Sequence, residues 1–421
     1  MTLGRAQAGA DTLPEHPPTA AGFGARYASV SVAVIAGSCL FLQRFGVPFG
    51  EFKLHLATLT AFAVVAAGLA FRQVAVNMVA LVIYLVFVAA TLASGIVNIE
   101  FSSEPTLRRS MPSLLYFIGM YAPFVFRARR PISPTAVFRI IQGCLTVVAW
   151  GGILQFALQF LGLPLFSFQG FVPASFLVEE GYNVLNATEY GGSTFKSNGL
   201  FLLEASLFSQ VMAIAIMLEV LFFKRVLALA LFGVALFTAL SGTGLMVLVV
   251  FFAYFAFGGG ANRAKEVVLI AIFVGLFYLL ATSVFSELGG YLFQRQGEFF
   301  TEGTSAYMRF VTPFRALGEI LDRFPTFLLV GLGPGSAEAL RLGFEYNMPT
   351  PGKVLIEYGL IVLALWIALI LAACNRREWR TLFWPVLFLF FFTGGYQQLG
   401  PIVFLLFSLF AFAGSRPEQP R

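Results

Sequence analysis

Charge is what this 421-residue chain has least of. Asp, Glu, Lys and Arg make up 11% of it, where a soluble domain carries about a quarter. Against that scarcity stand 58% hydrophobic residues, 50 phenylalanines and a mean hydropathy of +0.84. A water-soluble globule cannot hide so much apolar surface, which excludes that class and points to a polytopic membrane protein. Cysteine and histidine are equally scarce. Cys39, Cys144 and Cys374 fall in or beside apolar segments without paired spacing, so neither a disulfide framework nor a metal site is expected. His16 and His55 are the only histidines, too few for a metal cluster. No cofactor is expected. The first 25 residues are polar, carry Pro14, Pro17 and Pro18, and read as a disordered tail with no convincing cleavable signal peptide.

What is present is a series of apolar stretches near the bilayer-spanning length of about 20 residues. They run at roughly 27–43, 54–71, 74–95, 112–126, 136–161, 199–222, 226–240, 242–257, 266–284, 353–373, 381–395 and 398–414. The expected fold is all-α, a polytopic transmembrane bundle of about 12 spans. The transmembrane domain is assigned to 26–414, and 415–421 to a second cytoplasmic tail. Charge orients it. "RARRP", "KR", "NRAK" and "NRREWR" all fall in short loops on one side, which makes that side and both termini cytoplasmic. The pI near 9.3 then reflects basic cytoplasmic loops, and no nucleic-acid partner is expected.

Two long connections fall on the other side. The first, about 162–198, is rich in Gly, Ser, Asn and aromatics, a composition suited to sugar rings but equally to any soluble loop. The second, about 285–352, lies between spans 9 and 10. Within it "YMRFVTPFRALGEILDRF" spaces Phe310, Phe314, Leu317, Leu321 and Phe324 as the stripe of an amphipathic helix, with Pro313 in its first turn. Such a helix lies flat on the membrane or caps a cavity. "VGLGPGS" follows, and the backbone amides of Gly331, Gly333 and Gly335 suit either a tight structural turn or an anion. Long connections of this kind tend to carry function.

The charged residues narrow the chemistry. Glu204 sits in the apolar run that "SNGLFLLEASLFSQ" opens at residue 197. If that run is helical, Glu204 shares a stripe with Leu200, Phe201, Leu207 and Phe208. An ionisable group inside a span costs about 2.5 kcal/mol or more and usually faces a cavity. Arg309 and Arg315 supply the opposite charge, and a guanidinium fork grips phosphate oxygens in pairs. The structural alternatives are a glutamate satisfied by a neighbouring helix, snorkelling arginines, and an Arg315–Glu319 pair. Arg108 and Arg109 form a second candidate phosphate pair.

In order along the chain stand "SNGLFLLEASLFSQ", "LSGTGLMVLV", an arginine ahead of "ALGEILDRFPTFLLVGLGPGS", and "KVLIEYGLIVLALW". This series resembles the O-antigen polymerase and O-antigen ligase superfamily of bacterial membrane glycosyltransferases over about 195–370. Lys196 stands near a family arginine position, Gly199 fits, and Glu204, Ala205 and Ser206 replace glutamate-proline-serine. "SGTG" at 241–244 looks like the family's "SRTG" without its arginine. Arg309 matches the loop arginine, Gly331, Gly333 and Gly335 the glycine turn, and Glu357 and Gly359 the "E-x-G" that starts the next span. The ligases carry a histidine before that last motif. "YNMPTPGKVLIEYG" has none, which favours the polymerase branch.

The resemblance implies a bundle like the C-type membrane glycosyltransferases and a metal-independent enzyme at the periplasmic face of the bacterial inner membrane. It would join undecaprenyl-pyrophosphate-linked repeat units into O-antigen, capsule or exopolysaccharide. Glu204 and Arg309 would be catalytic, and Arg309, Arg315, Lys196, Gly333 and Gly335 would bind the pyrophosphate. Implied partners are the lipid-linked glycans, membrane lipid, and a chain-length regulator or flippase. The rivals are an O-antigen ligase or protein O-glycosyltransferase of the same superfamily, a multi-span transporter, and an envelope scaffold.

Overall fold

A computed structural model describes residues 20–49, 52–101, 111–163, 168, 171–178, 187, 194–258, 264–279, 297, 300–374 and 400–414. The described chain is predominantly helical. In order run α1 (Ala20–Phe41), the ribbon β1 (Gly46–Phe49) and β2 (Phe52–His55), α2 (Leu56–Ala70), β3 (Val74–Val76), α3 (Met78–Phe101) and α4 (Met111–Tyr121). They are followed by β4 (Phe126–Ala128), α5 (Pro134–Leu158), α6 (Ala205–Leu218), α7 (Val226–Thr238), α8 (Gly242–Gly258) and α9 (Ala264–Leu279). The long second connection holds α10 (Ser305–Phe310), α11 (Thr312–Arg323), α12 (Phe327–Val330) and α13 (Ser336–Ala339), before α14 (Thr350–Cys374) and α15 (Gly400–Ala411).

Eleven of the twelve apolar stretches coincide with helices, and the stretch 381–395 lies outside the described residues. Five helices are long and apolar enough to cross a bilayer: Gly22–Phe41, Met78–Asn98, Pro134–Leu161, Ala205–Phe223 and Thr350–Cys374. Leu56–Ala70, Met111–Val125, Val226–Thr238, Gly242–Phe255 and Pro401–Ala411 are apolar but shorter. α1 starts at Ala20, ahead of the boundary set at 26, because "AAGFGARYA" has helix-forming alanines and no proline beyond Pro18.

The helices begin and end where the sequence provides stops. α5 opens on Ser133, whose Oγ accepts from the Ala136 amide at 3.3 Å, with Pro134 at the first helical position. α6 ends in a π turn, Glu219–Phe223, closed by Lys224 in the left-handed conformation. α6 is buried at every position, and it packs on α5, α7 and α8. α1 packs on α2, α5 and α15, and α3 packs on α14. One large apolar core joins these helices; a smaller one of Ala316, Ile320, Phe327, Leu332, Ala337, Leu340, Leu342, Met348 and Ile356 belongs to the α11–α14 region.

The connections sort to two ends. β3 pairs with β4 in antiparallel register, Val74 opposite Ala128 and Val76 opposite Phe126, and Ile132 bridges Ala413. These lie at the starts of α3 and α5 and the finish of α15. At the opposite end, β1 pairs with β2, Phe45 bridges Leu177, and Ser94 and Asn98 near the finish of α3 reach Val330. Glu204 and the segment from 300 to 352 belong to this second end.

His55 links the β1–β2 ribbon to α2. It is 3% exposed, its Nδ1 lies 3.1 Å from the Gln43 carbonyl, and burial pushes the imidazole from its ordinary value of 6.5 down to about 4. The ring is therefore held neutral, and the fold loses stability progressively as pH falls from 6.5 toward 4. Thermal unfolding of the purified protein at pH 7.5 and pH 5 should show acid destabilisation, with a full penalty of about 3 kcal/mol below pH 4. A His55→Gln variant should lose part of that acid sensitivity.

Candidate functional site

The segment that leads to Glu204 is not helical. Helix α6 starts only at Ala205, and residues 197–204 form a tight series of turns. The expected stripe of Glu204 with Leu200, Phe201, Leu207 and Phe208 is therefore corrected. Gly199 has φ +70° and Leu200 φ +68°, so two consecutive residues are left-handed and no helix can run through them. Glycine is also required at 199 for space, because a Cβ there would lie 2.7 Å from the Phe208 ring.

One amide oxygen organises these turns. Gln155 Oε1, buried on α5, accepts from Ser197 Oγ (3.0 Å), the Asn198 amide (3.1 Å) and the Leu200 amide (3.3 Å). Ser197 Oγ lies 2.9 Å from the Gly152 carbonyl, and its amide donates to Thr238 O at 3.0 Å. From the other side α1 contributes two residues just past its last turn. Arg44 Nε donates to the Leu202 carbonyl at 3.0 Å, and Gln43 Oε1 accepts from the Leu203 amide at 2.9 Å. Arg44 is 2% exposed and also sits 5.6 Å from the Phe168 ring centre; burial lowers its guanidinium to about 10, so it stays charged at neutral pH.

Glu204 emerges from this clamp as the N-cap residue of α6, half-buried and in extended conformation (φ −147°, ψ 162°). Its carbonyl accepts from the Phe208 amide at 3.1 Å, and its carboxylate accepts from Ser206 Oγ rather than from a backbone amide. The start of a helix is where a negative charge is best tolerated. That answers why a carboxylate stands in so apolar a run: it marks the run's break, not its middle. The "SGTG" turn docks alongside. Gly244 N donates to Ser209 Oγ at 3.1 Å, and a side chain at 244 would collide with the Ser209 carbonyl.

The glycine turn after α12 makes a second knot. α14 is broken at Gly359 (φ 84°, ψ 177°), and the carbonyls released by the break take amides from the turn: Leu332 N to Ile356 O at 2.7 Å and Gly333 N to Glu357 O at 3.0 Å. Ser94 Oγ and Asn98 Nδ2 of α3 both donate to Val330 O, at 2.6 and 2.8 Å. Gly331 and Gly359 press backbone to backbone, since a side chain on Gly331 would strike Glu357 and one on Gly359 would strike Leu329. The Gly333 amide is thus committed to protein, and Gly335 serves as the left-handed residue before α13.

Of the cationic candidates, Arg309 in the last turn of α10 is half-buried and makes neither a hydrogen bond nor an ion pair with the described residues. Arg315 lies 3.7 Å from Glu302 and 4.4 Å from the Phe344 ring centre, with 60% of its side chain exposed; Glu319 pairs with Arg323 instead. An exposed pair of this kind holds its arginine only weakly. Lys196 is half-buried beside Ser197 and has an interaction of its own. Arg108 and Arg109 lie outside the described residues. Glu204 and Arg309 share one end of the bundle, and no hydrogen bond or ion pair joins them.

Helix α11 forms over Thr312–Arg323 with Pro313 in its first turn. Its buried face is Thr312, Pro313, Ala316 and Ile320, while Phe314 and Leu321 of the expected stripe stand 73% and 40% exposed. The apolar arc is wide enough to cover the protein with one half and leave the other open.

Gln43, Arg44, Gln155, Ser94 and Asn98 escaped the sequence reading. Their signal was faint: single polar residues in or just after apolar runs. So was that of Glu219, which is 1% exposed, accepts from Gln142 Nε2 at 2.8 Å and pairs with Arg225 at the opposite end. Among the described residues no group of three His, Cys, Asp or Glu side chains gathers where a metal could sit. The chain matches no family model, no curated protein and no solved structure.

Gly359→Ala should destabilise the protein by about 2 kcal/mol or more, because it adds left-handed strain to a backbone collision. Gly343→Ala, with nothing within 4 Å of its Cβ, should unfold within a degree or so of the parent. Thermal unfolding in detergent compares the two.

Proposed function

We propose that this chain is a polysaccharide polymerase that joins undecaprenyl-pyrophosphate-linked oligosaccharide repeat units at the periplasmic face of the bacterial inner membrane. The resemblance of residues 195–370 to the O-antigen polymerase and ligase superfamily motivates the proposal. One observation carries it furthest: Glu204 presents a half-buried carboxylate at a helix start, at the end of the bundle that also holds Arg309, a guanidinium with no hydrogen-bond or ion-pair partner among the described residues. Both termini are taken as cytoplasmic, in a bundle of about twelve spans like that of the C-type membrane glycosyltransferases. Glu204 and Arg309 then face outward.

On this proposal the acceptor hydroxyl, from a second lipid-linked unit, attacks the anomeric carbon of the donor glycan. A new glycosidic C–O bond forms while the bond from that carbon to the pyrophosphate oxygen breaks. Glu204 orients the hydroxyl and takes its proton. Arg309, with Arg315 or Lys196, neutralises the charge that grows on the departing pyrophosphate. Gly333 and Gly335 act one step back. Their turn fixes the 300–352 segment to α3 and α14, because the Gly333 amide already has a backbone partner. Two buried polar atoms beside the Glu204 clamp, Gln155 Nε2 and Asn198 Oδ1, have no hydrogen-bond partner among the described residues. They suit a site that takes in water or a sugar hydroxyl.

Glu204→Gln should lower polymerisation by about 10²- to 10⁴-fold, and Arg309→Ala should abolish long chains, both at parental protein levels. Electrophoresis of the glycan from a complemented strain reads the outcome. Long chains from the Arg309→Ala strain would overturn the assignment. Purified protein given lipid-linked repeats alone should lengthen them; transfer only when lipid A core or a protein acceptor is added would place the chain in the ligase or protein O-glycosyltransferase branch.

A further inference from the structure

At the end of the bundle opposite Glu204 there is an open cavity of about 380 Å³ lined by Phe23, Arg72, Gln73, Arg129 and Arg130. Three guanidinium-bearing residues meet there, and no carboxylate is among the described lining residues. Bringing like charges together costs free energy, so such a gathering persists when the backbone enforces it or an anion relieves it.

The backbone does enforce it. Arg72 ends α2 in the left-handed conformation (φ 54°), with its amide donating to Leu69 O at 3.0 Å and the next amide, Gln73 N, to Gly68 O at 2.7 Å. Arg129 N donates to Gln73 O at 2.8 Å, which continues the β3–β4 ladder and fixes the two arginine-bearing turns against each other. Arg129 Nε is spent on the Val74 carbonyl at 3.1 Å, and its side chain lines the cavity. Gly24 of α1 opens room for Arg130: a Cβ at 24 would lie 2.6 Å from Arg130 Cδ and 3.1 Å from Gln73 Oε1. A non-glycine residue held left-handed is strained, and here the strained residue is one of the arginines.

Around the cavity the surface turns apolar. Phe23, Phe71, Met78 and Val79 stand 51%, 62%, 64% and 64% exposed, at the ends of helices long or apolar enough to lie in a membrane. Forked cations that line a cavity together with Phe23, with exposed Phe71, Met78 and Val79 close by in sequence, match a phosphate that carries acyl chains. We propose that this cavity binds an anionic phosphate group, that of an acidic phospholipid such as phosphatidylglycerol or a free phosphate from the adjoining solution. The proposal does not depend on the polymerase assignment.

The test is thermal unfolding of the full chain in a neutral detergent, titrated separately with phosphatidylglycerol, phosphatidylcholine and inorganic phosphate. Phosphatidylglycerol, inorganic phosphate or both should raise the midpoint, and phosphatidylcholine should not. A response to the lipid alone identifies a headgroup site, and a response to inorganic phosphate a free-anion site. The variant Arg72→Asn/Arg130→Gln keeps a residue that tolerates the left-handed turn and should bind roughly tenfold more weakly or worse. Arg26→Gln/Arg139→Gln removes the same net charge from exposed positions outside the lining and should respond like the parent. Equal responses to all three additives in the parent overturn the proposal, even if the cavity variant fails to fold. So does equal loss in both double variants, which would reduce the effect to diffuse surface charge.

Discussion

A bilayer offers no water to an unpaired amide, so any departure from helix inside it must be matched by protein groups. That constraint organises this chain more than any single apolar contact does. The backbone leaves helical geometry in two important places, at 197–204 and at Gly359, and each departure is met by hydrogen-bonding groups from another part of the chain. Gln155 Oε1 and Gln43 Oε1 accept the amides of the first; Leu332 N and Gly333 N supply donors for the second, while Ser94 and Asn98 fasten the arriving segment. The scarce polar side chains of the helices are concentrated where the main chain needs them.

The same constraint places the charges. Arg44 is almost wholly buried, yet its Nε is bound to a carbonyl two residues before Glu204. Glu219, almost wholly buried at the other end, is held by Arg225 and Gln142. Both of these buried charges sit at a helix terminus or turn, where backbone dipoles and neighbouring donors reduce the cost of leaving water. Among the described residues Glu204 differs in being half-buried with only a serine hydroxyl on its carboxylate, and Arg309 in having no hydrogen-bond or ion-pair partner. Those two are the groups whose structural obligations are smallest.

The sequence showed the helices well because apolar runs of bilayer length have few alternatives; even α11 with its leading proline was legible. The position of Glu204 within its run was not. "SNGLFLLEAS" has the composition of a helix, and only the tertiary demands of Phe208 on Gly199, and of Gln155 on three donors, stop it from becoming one. Arg44 and Gln155 were invisible for a related reason: a lone polar residue beside an apolar run carries no periodicity, and its partner lies more than 40 residues away. The glycine turn was seen, but its chemistry was ambiguous. The amide of Gly333 faces a carbonyl that is free of the helix ladder only because α14 is broken, and no local pattern announces that break beyond a glycine in an apolar helix.

Helix α11 keeps Phe314 and Leu321 uncovered while Ala316 and Ile320 grip the second core. A rod sealed along one flank and greasy along the next behaves as a float: it rides at the height where hydrocarbon gives way to headgroups. Arg315 shares that rod and Arg309 lies one short turn before it, which on the proposed function would hold the two guanidiniums at the level where a lipid-borne phosphate emerges. Depth, as much as charge, is then what this segment contributes.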